Sequence, residues 1–237
     1  MYEVIDLAKD LSTNTYPGRG IIIGKSKDGT KAVTAYFIMG RSENSRNRIF
    51  LEQENGVMIR PYDESKVGDP TLVIYWPIRK LGNQLIVTNG DQTDTVYDFL
   101  QQGKTFEAAL ETRTFEPDPN YTPRISGLLQ LDAEHPDYKL SILKSANPEG
   151  SGCNRFTYAF SAQDGYGHFI HTYASDGKPI PTFCGEPDQV EIPDSIDEFT
   201  DRIWENLNED NKVSLYVRYI DLKTGKEENR LINKYGA

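Results

Sequence analysis

Apolar and polar residues alternate with the two-residue period of β-strands along much of the first part of the chain. Turn dipeptides separate the alternating segments, namely Asp28-Gly29, Asn55-Gly56 and Gly82-Asn83. The pattern therefore predicts antiparallel hairpins in this region. The predicted strands cover residues 21–24, 33–39, 49–52, 57–60, 71–78 and 84–88.

The strand pattern returns in the second part of the chain and predicts a second sheet. Turns are predicted at Asp164-Gly165 and Asp176-Gly177. A last hairpin, with its turn at Thr224-Gly225, closes the chain. The strands predicted here cover residues 125–131, 138–144, 156–162, 167–174 and 213–222.

Four segments have a helical period instead. Two helices are predicted in the middle of the chain, in TDTVYDFLQQG and KTFEAALETRTF. A later helix opens with the Ser-x-x-Glu spacing of a capping box at Ser195 and Glu198. Its apolar face consists of Phe199, Ile203 and Leu207. The N-terminal segment is predicted as a short amphipathic helix that ends before Asn14, with an apolar face of Val4, Leu7, Ala8 and Leu11.

The order of these elements indicates the fold class. Strands in two runs, with helices between and after them, differ from the regular βαβ alternation of a doubly wound sheet. The pattern predicts an α+β fold, a sandwich of two antiparallel sheets with helices outside. No internal repeat, low-complexity tract or long linker interrupts the sequence, so residues 1–237 are predicted to form a single domain.

Composition limits the partners of the chain. Its formal net charge of −10 makes general attraction to nucleic acid or to an anionic membrane weak or repulsive. An anionic ligand must therefore meet a local basic cluster. The N-terminus lacks the pattern of a secretory signal, and no apolar run approaches the roughly 20 residues that span a bilayer. These features predict a soluble protein that binds neither nucleic acid nor membrane.

The cysteines and histidines give little support to a metal site or a nucleophile. Cys153 and Cys184 are too few to cross-link the chain, which favours a reduced, cytoplasmic setting. A metal site at His168, His171 and Cys184 is disfavoured, because residues i and i+3 of a strand point to opposite faces. Neither cysteine has a histidine at a sequence spacing that would indicate an activated nucleophile. Tyr2 follows Met1, so no N-terminal nucleophile arises without internal cleavage.

Two glycine- and arginine-rich segments are candidates for anion binding. The segment TYPGRGIIIG, residues 15–24, lacks the dinucleotide-binding spacing and precedes a strand, which excludes a Rossmann site. It is either a turn before a strand or a loop in which Arg19 contacts an anion. In GRSENSRNRI, residues 40–49, three arginines accompany a single glutamate. Close guanidinium groups repel each other unless an anion lies among them, so this segment is either a solvated loop or an anion site.

Two loops carry further candidates. In VTNGDQTDT, Thr93 or Asp94 can cap the following helix, whose N-terminus can alternatively face an anion. The loop TRTFEPDPNYTPRISG contains Glu116 and Arg124. A carboxylate beside arginines is suited to accept a proton or a hydrogen bond from a substrate amine. The simpler alternative is a surface ion pair, worth at most about 1 kcal/mol.

Five segments together resemble, in order, the archaeal-type inosine monophosphate (IMP) cyclohydrolases. They are YPGRGIIIG, AYFIMGRSENSRNR, IYWPIR, VTNGDQTDT and TFEPDPNYTPRISG, within about the first 130 residues. The resemblance implies a four-layered αββα core like that of the N-terminal nucleophile (NTN) hydrolases, without self-cleavage. It also implies ring closure of 5-formamidoimidazole-4-carboxamide ribotide to IMP, the last step of purine synthesis, with no metal or nucleotide cofactor.

The resemblance also implies roles for individual residues, and the only expected ligand is the small-molecule ribotide. The catalytic residues would be Arg48, Tyr75 and Glu116. Those that hold the phosphate, base or sugar would be Arg19, Arg41, Arg46, Asn89, Thr93, Asp94 and Arg124.

The chain departs from the family pattern at several points. Extra residues lie between Arg41 and Arg48, so either Arg46 or Arg48 is the matching arginine. Trp76-Pro77 interrupts the tyrosine motif, and the second half of the chain is longer. Three alternatives to this cyclohydrolase stay open: a relative with an altered ribotide substrate, a non-catalytic purine-nucleotide-binding protein and an internally cleaved amide hydrolase. Assembly into a homo-oligomer also stays open.

Overall fold

In a computed structural model that describes residues 3–66, 74–117, 120–131 and 136–236, the alternating segments form two sheets of seven strands each. The strands are β1 (Val4–Ile5), β2 (Arg19–Lys25), β3 (Lys31–Met39), β4 (Ile49–Gln53), β5 (Gly56–Arg60), β6 (Ile78–Leu81), β7 (Gln84–Thr88), β8 (Arg124–Gln130), β9 (Asp137–Ser145), β10 (Cys153–Ser161), β11 (Tyr166–His171), β12 (Asp188–Glu191), β13 (Lys212–Asp221) and β14 (Glu227–Asn233). The helices are α1 (Leu7–Thr13), α2 (Glu43–Arg46), α3 (Gln92–Gln101), α4 (Phe106–Glu111) and α5 (Ile196–Trp204). The predicted α+β class with two sheets is confirmed.

The strand order differs from the expected division into two consecutive runs. Sheet A has the order β1-β12-β11-β2-β3-β13-β14, and sheet B has the order β10-β9-β8-β7-β6-β5-β4. Every pair of neighbours is antiparallel except β1 and β12. The second run of strands does not form its own sheet, since β8 to β10 extend sheet B and β11 joins sheet A. Gly24 faces Gly167 across β2 and β11, where a Cβ on Gly24 would lie 2.4 Å from the Gly167 Cα.

A shared apolar core joins the two sheets. Alternate residues of β2 and β3, such as Ile21 and Tyr36, point into it from sheet A. Leu85 and Ile142 enter it from sheet B, and all four side chains are at most 1% exposed. Each buried side chain of this kind contributes about 1.5 to 3 kcal/mol of transfer free energy. Polar groups on the inward positions of these strands are therefore held between the sheets.

Helices α1 and α5 cover the outer face of sheet A, and α3 and α4 cover that of sheet B. A second core on the outer face of sheet A includes Leu11 of α1, Phe169 of β11 and Phe199 of α5. A third core packs Val96 of α3 and Phe106 of α4 on sheet B. The predicted helices in the middle and near the end of the chain are therefore confirmed. Ser195 accepts a hydrogen bond from the Glu198 N–H, as its capping spacing predicts.

Three local predictions need correction. The N-terminal helix begins only at Leu7, because Val4 and Ile5 pair with β12. Residues 74–77 are not a strand, since Pro77 has no N–H for a ladder, and 71–73 lie outside the described residues. The N-cap position of α3 is Asp91 rather than Thr93 or Asp94. The Asp91 carboxylate makes no cap hydrogen bond and instead pairs with two arginines.

Two further observations concern the described residues only. None of their helices is both long and apolar enough to cross a bilayer. They contain no group of three or more His, Cys, Asp or Glu side chains arranged to hold a metal ion. His168 and His171 lie on opposite faces of β11, as predicted, since His168 stacks on Phe160 of sheet B and His171 stacks on Phe169 of the outer core.

His168 is held neutral in the fold. Its Nδ1 atom lies 2.5 Å from the Tyr138 hydroxyl, and its ring centroid lies 3.7 Å from that of Phe160. Burial lowers the pKa of His168 to about 4, although the Asp188 carboxylate acts in the opposite direction. Either direction of the Tyr138–His168 hydrogen bond is compatible with a neutral imidazole, since the ring proton can lie on Nδ1 or Nε2.

We expect the protein to lose stability as the pH falls from 6.5 toward 4, the interval between the unfolded and folded pKa values of His168. In this interval the unfolded chain binds a proton at His168 that the folded chain does not, which favours unfolding. With allowance for its partial exposure, the loss from this residue is about 1 kcal/mol. Urea unfolding at several pH values measures it, and His168→Gln should reduce the slope. An identical slope in both proteins would contradict this assignment.

Candidate active site

The segment 15–24 is both a turn and the start of an inner strand. Gly18 has φ +81°, and a Cβ there would lie 2.3 Å from Thr172 Oγ1, so the position requires glycine. Arg19 begins β2 and has the same parity as Ile21, which places its side chain on the face toward sheet B. The Arg19 side chain is therefore buried between the sheets, and the residue is 8% exposed.

Arg48 approaches the same space from sheet B. It follows Asn47, whose amide group forms two hydrogen bonds with the backbone of Asp63, at 2.8 and 2.7 Å. This pairing fixes the chain just before β4. Arg48 is 7% exposed, and its Nε atom is buried with no hydrogen-bond partner among the described residues. A buried donor without an acceptor is costly, so this atom marks a place where a ligand acceptor would be stabilised.

Two tyrosine hydroxyls meet in this space. Tyr36 points inward from β3, and its hydroxyl oxygen lies 3.4 Å from that of Tyr75. The backbone carbonyl of Tyr75 accepts a hydrogen bond from the Ile59 N–H of β5, at 2.9 Å, which holds the irregular segment against sheet B. The Tyr75 hydroxyl is therefore held beside that of Tyr36, although Tyr75 does not lie on a strand.

Glu116 contributes the carboxylate of the group. Its backbone N–H donates to the Thr122 carbonyl, at 2.9 Å, and so closes the loop before β8. The carboxylate is near enough to the guanidinium groups of Arg19 and Arg48 to shift the pKa of each. We refer to Arg19, Tyr36, Arg48, Tyr75 and Glu116 together as the inter-sheet cluster.

The two arginines of the cluster have unequal environments. Burial acts to lower the pKa of Arg19, but Tyr16, Glu116, Tyr173 and Tyr75 outweigh it, and the pKa is raised. Arg19 therefore stays cationic.

Arg48 has the opposite shift. Burial and the adjacent Arg19 guanidinium lower its pKa, and Tyr75, Glu116 and Tyr36 offset this only in part. Arg48 is thus a buried cation beside a second cation. Developing negative charge beside Arg48 would offset the repulsion between the two guanidinium groups.

Arg41 lies at the rim of this region. Its Nη1 atom donates to the Asp176 carboxylate and, at 2.9 Å, to the Gly177 carbonyl. Its guanidinium carbon lies 5.1 Å from the centroid of the Tyr16 ring, a cation–π contact. A cavity of about 530 Å³ opens beside it. The cavity lining also includes Tyr121, Lys178 and Thr182.

An aromatic pair connects Arg41 with the cluster. The rings of Tyr16 and Tyr173 stack with 5.7 Å between centroids. The Tyr173 hydroxyl donates to Thr122 Oγ1 at 3.0 Å. Because Thr122 also pairs with Glu116, the cavity and the inter-sheet cluster are neighbours along this chain of contacts.

Two of the predicted substrate-binding residues have other partners. Arg46 Nε donates to the Gly40 carbonyl at 2.9 Å, and its Nη2 donates to Asn211 Oδ1 at 3.2 Å. Asp94 is exposed on α3 and accepts from Arg79 Nη1 at 2.7 Å. The structure does not bring either residue to the inter-sheet cluster.

Asn89 and Thr93 are buried in the framework of sheet B. The Asn89 amide donates to the Pro123 carbonyl at 2.8 Å and accepts from the Ile125 N–H at 2.9 Å. Thr93 Oγ1 lies 2.6 Å from Thr88 Oγ1. These contacts fasten α3 and β8 to β7, and they leave the two side chains outside the cluster.

Arg124 lies on the opposite face of sheet B from Arg48. Its neighbour Ile125 belongs to the core between the sheets, so Arg124 points outward toward α3. Its Nη1 atom donates to Gln92 Oε1 at 2.7 Å and pairs with Asp91 Oδ1 at 2.8 Å. A Cβ on Gly90 would lie 2.1 Å from that nitrogen, so glycine is needed for this approach. Its contacts are those of a structural ion pair.

Sequence reasoning missed Tyr36 and Tyr173. In AYFIM, Tyr36 occupies the position of an ordinary core residue in the strand pattern, and nothing in the sequence indicates a function for its hydroxyl group. Tyr173 follows β11, in the half of the chain that the motifs do not reach. Only the pairing of β11 beside β2 brings Tyr173 to Arg19.

Comparison with known proteins gives a consistent set of matches. A family model described as IMP cyclohydrolase-like protein matches residues 16–226. An IMP cyclohydrolase of Methanopyrus kandleri is 36% identical over 115 residues, which cover 47% of this chain and 57% of that protein. An IMP cyclohydrolase of Methanocaldococcus jannaschii is 32% identical over 116 residues, which cover 48% of this chain and 56% of that protein.

A third relative, an IMP cyclohydrolase of Methanococcus maripaludis, is 31% identical over 127 residues. These cover 52% of this chain and 62% of that protein. The chain therefore spans 56 to 62% of the length of these curated relatives.

Proposed function

The chain belongs to the IMP cyclohydrolase-like family, and from this premise we propose that it is an IMP cyclohydrolase. It would close 5-formamidoimidazole-4-carboxamide ribotide to IMP with loss of water. The observation that carries the proposal is the inter-sheet cluster, in which two buried arginines and two tyrosine hydroxyls lie between the sheets and the Glu116 carboxylate is within electrostatic range of both arginines. This set of groups matches what the ring closure needs.

The reaction needs no nucleophile from the protein. The carboxamide nitrogen of the ribotide attacks the formyl carbon of the same molecule, and the formyl oxygen becomes negatively charged. That oxygen then leaves as water. Its two hydrogens come from the carboxamide nitrogen and the formamide nitrogen, so the atoms balance without a cofactor. The protein must hold the two groups together, stabilise the oxyanion and move these protons.

Arg48 and Tyr75 are the groups we assign to the formyl oxygen. The unpartnered Nε of Arg48 would donate to it, and negative charge there would offset the repulsion between Arg48 and Arg19. The Tyr75 hydroxyl would donate the proton that makes the oxygen a leaving group. Tyr36, at 3.4 Å, would orient that hydroxyl.

Glu116 and Arg19 complete the arrangement. The Glu116 carboxylate would accept the proton that the carboxamide nitrogen loses on attack. Arg19, whose raised pKa keeps it charged, would attract the Glu116 carboxylate and face the base of the ribotide. We assign no catalytic part to Arg46, Asn89, Thr93, Asp94 or Arg124, because their side chains are engaged elsewhere.

The fold supports the same proposal. We propose that the two sheets and their outer helices are the αββα sandwich of the NTN hydrolases, formed as one domain. The three apolar cores support it, one between the sheets and one under the helices on each side. The active site of this chain would lie between the sheets and use no N-terminal nucleophile.

A direct assay tests the function. Purified protein is incubated with 5-formamidoimidazole-4-carboxamide ribotide, and IMP is followed by ultraviolet absorbance and identified by mass spectrometry. We expect enzyme-dependent formation of IMP without added metal or nucleotide. Unchanged ribotide would refute the proposal. If the protein then bound IMP, it would be a non-catalytic nucleotide-binding protein.

A further inference from the structure

The cavity beside Arg41 has a positive lining in an acidic chain. It measures about 530 Å³, and Arg41 and Lys178 are its charged lining residues. No aspartate or glutamate of the described ranges lines it. Because the chain has a net charge of −10, a cavity whose charged lining residues, among those that the structure describes, are both cationic is a local exception. Such a site attracts anions to a surface that otherwise repels them.

The two cations differ in a way that suits a phosphate group. The Arg41 guanidinium presents several N–H donors in a plane, and the Lys178 ammonium is a compact charge on an exposed side chain. A phosphomonoester carries a charge of about −1.5 to −2 at pH 7, so two cations can compensate it. Asn120 and Thr182 add polar side chains to the wall.

Asp176 occupies the donor that an incoming anion would use. Its carboxylate pairs with Arg41 Nη1, and it is not part of the cavity lining. Arg41 does not depend on Asp176 for its position, because the Gly177 carbonyl at 2.9 Å and the Tyr16 ring at 5.1 Å also hold it. Asp176 is therefore placed as an intramolecular competitor for anions.

The cavity adjoins the loop that carries Glu116. Tyr121 forms part of its wall. The next residue, Thr122, accepts a hydrogen bond from the Glu116 N–H at 2.9 Å. The wall of the cavity is therefore one residue along the chain from the residue that pairs with the Glu116 backbone.

We propose that this cavity binds the phosphate group of a nucleoside monophosphate through Arg41 and Lys178, and that the ligand displaces Asp176 from Arg41. The identity of the ligand rests on the proposed function, because the substrate and product of that reaction are both phosphomonoesters. The binding step itself does not require turnover. Lys178 and Asp176 belong to the segment after β11, which none of the five sequence motifs includes.

Calorimetric titration of IMP and of inosine tests the proposal. Lys178→Met should weaken IMP binding about tenfold, the loss of one charge-assisted hydrogen bond at a partly exposed site. Asp176→Asn should tighten IMP binding about two- to fivefold, since it removes a screened surface competitor. Neither substitution should change the affinity for inosine, which lacks the phosphate. Lys223→Met, in the exposed β13–β14 turn, is the matched control and should leave IMP binding unchanged.

The outcomes separate this proposal from the proposed function. Binding of IMP that depends on Lys178, without any conversion of the ribotide, would overturn the function and support the phosphate site. Conversion and IMP affinity that both variants leave unchanged would overturn the phosphate site alone. Lys178-dependent binding of inorganic phosphate, with IMP affinity unaffected by the variants, would show a free-phosphate site and also overturn the proposal.

Discussion

Replacing Arg48 by methionine should lower kcat for ring closure about 10²- to 10³-fold, the usual effect of losing one oxyanion donor. The melting temperature should stay the same or rise. Arg48 is buried beside another guanidinium, and an apolar side chain of similar length removes both the repulsion and the cost of burying a charge. Initial rates at saturating ribotide and thermal unfolding by circular dichroism measure the two effects.

Arg46→Met is the matched variant for this experiment. The Arg46 side chain holds the Gly40 carbonyl and Asn211, so its loss should lower the melting temperature and leave kcat within about twofold, as for a residue outside the reacting groups. The pair also determines which arginine corresponds to the family motif. A destabilised Arg48→Met protein with normal kcat would assign Arg48 a structural role and contradict the proposed mechanism.

Replacing Glu116 by glutamine should lower kcat about 10²- to 10⁴-fold, the range for loss of a positioned general base. The amide has nearly the shape of the carboxylate but cannot accept the proton from the carboxamide nitrogen. Affinity for IMP should change little, because the product has already lost that proton. Rate assays and calorimetry on the same preparation give both quantities.

Glu111→Gln, at the exposed end of α4, controls for the loss of one negative charge. It should leave both kcat and IMP affinity unchanged. A Glu116→Gln protein with full turnover would exclude Glu116 as the base. If the unsubstituted protein also lacks turnover but binds IMP, the chain is a nucleotide-binding protein rather than an enzyme.

Local structure could largely be predicted from the sequence, because it depends on period and turn chemistry. The hairpins at Asp28-Gly29, Asn55-Gly56 and Gly82-Asn83 occur where predicted. The partition of strands between the sheets could not. Strands β10 and β11 are consecutive, yet they belong to different sheets. Their alternation shows only that each strand has a buried face, not which neighbour covers it.

The candidate site shows the same limit. The motifs include Arg19, Arg48, Tyr75 and Glu116; the structure buries the first three and leaves Glu116 within electrostatic range of both arginines. Arg124 belongs to an equally clear motif, but its side chain faces helix α3. The sequence does not reveal this, because both faces of β8 are buried. Odd- and even-numbered residues of such a strand lie on opposite faces, but the sequence does not tell which face points between the sheets. Tyr36 has no sequence signal, since a hydroxyl on a core strand is visible only through its partner.

The distribution of the site along the chain has an evolutionary consequence. All five residues of the inter-sheet cluster lie between positions 19 and 116, while strands β8 to β14 complete both sheets around them. Selection on the second half therefore acts mainly through packing, which tolerates many apolar exchanges. The exceptions are Tyr173, which lies beside Arg19, and the loop with Asp176 and Lys178 that we propose as a phosphate site. Substitutions in this loop can therefore change the preferred ligand during evolution, while the residues of the inter-sheet cluster stay the same.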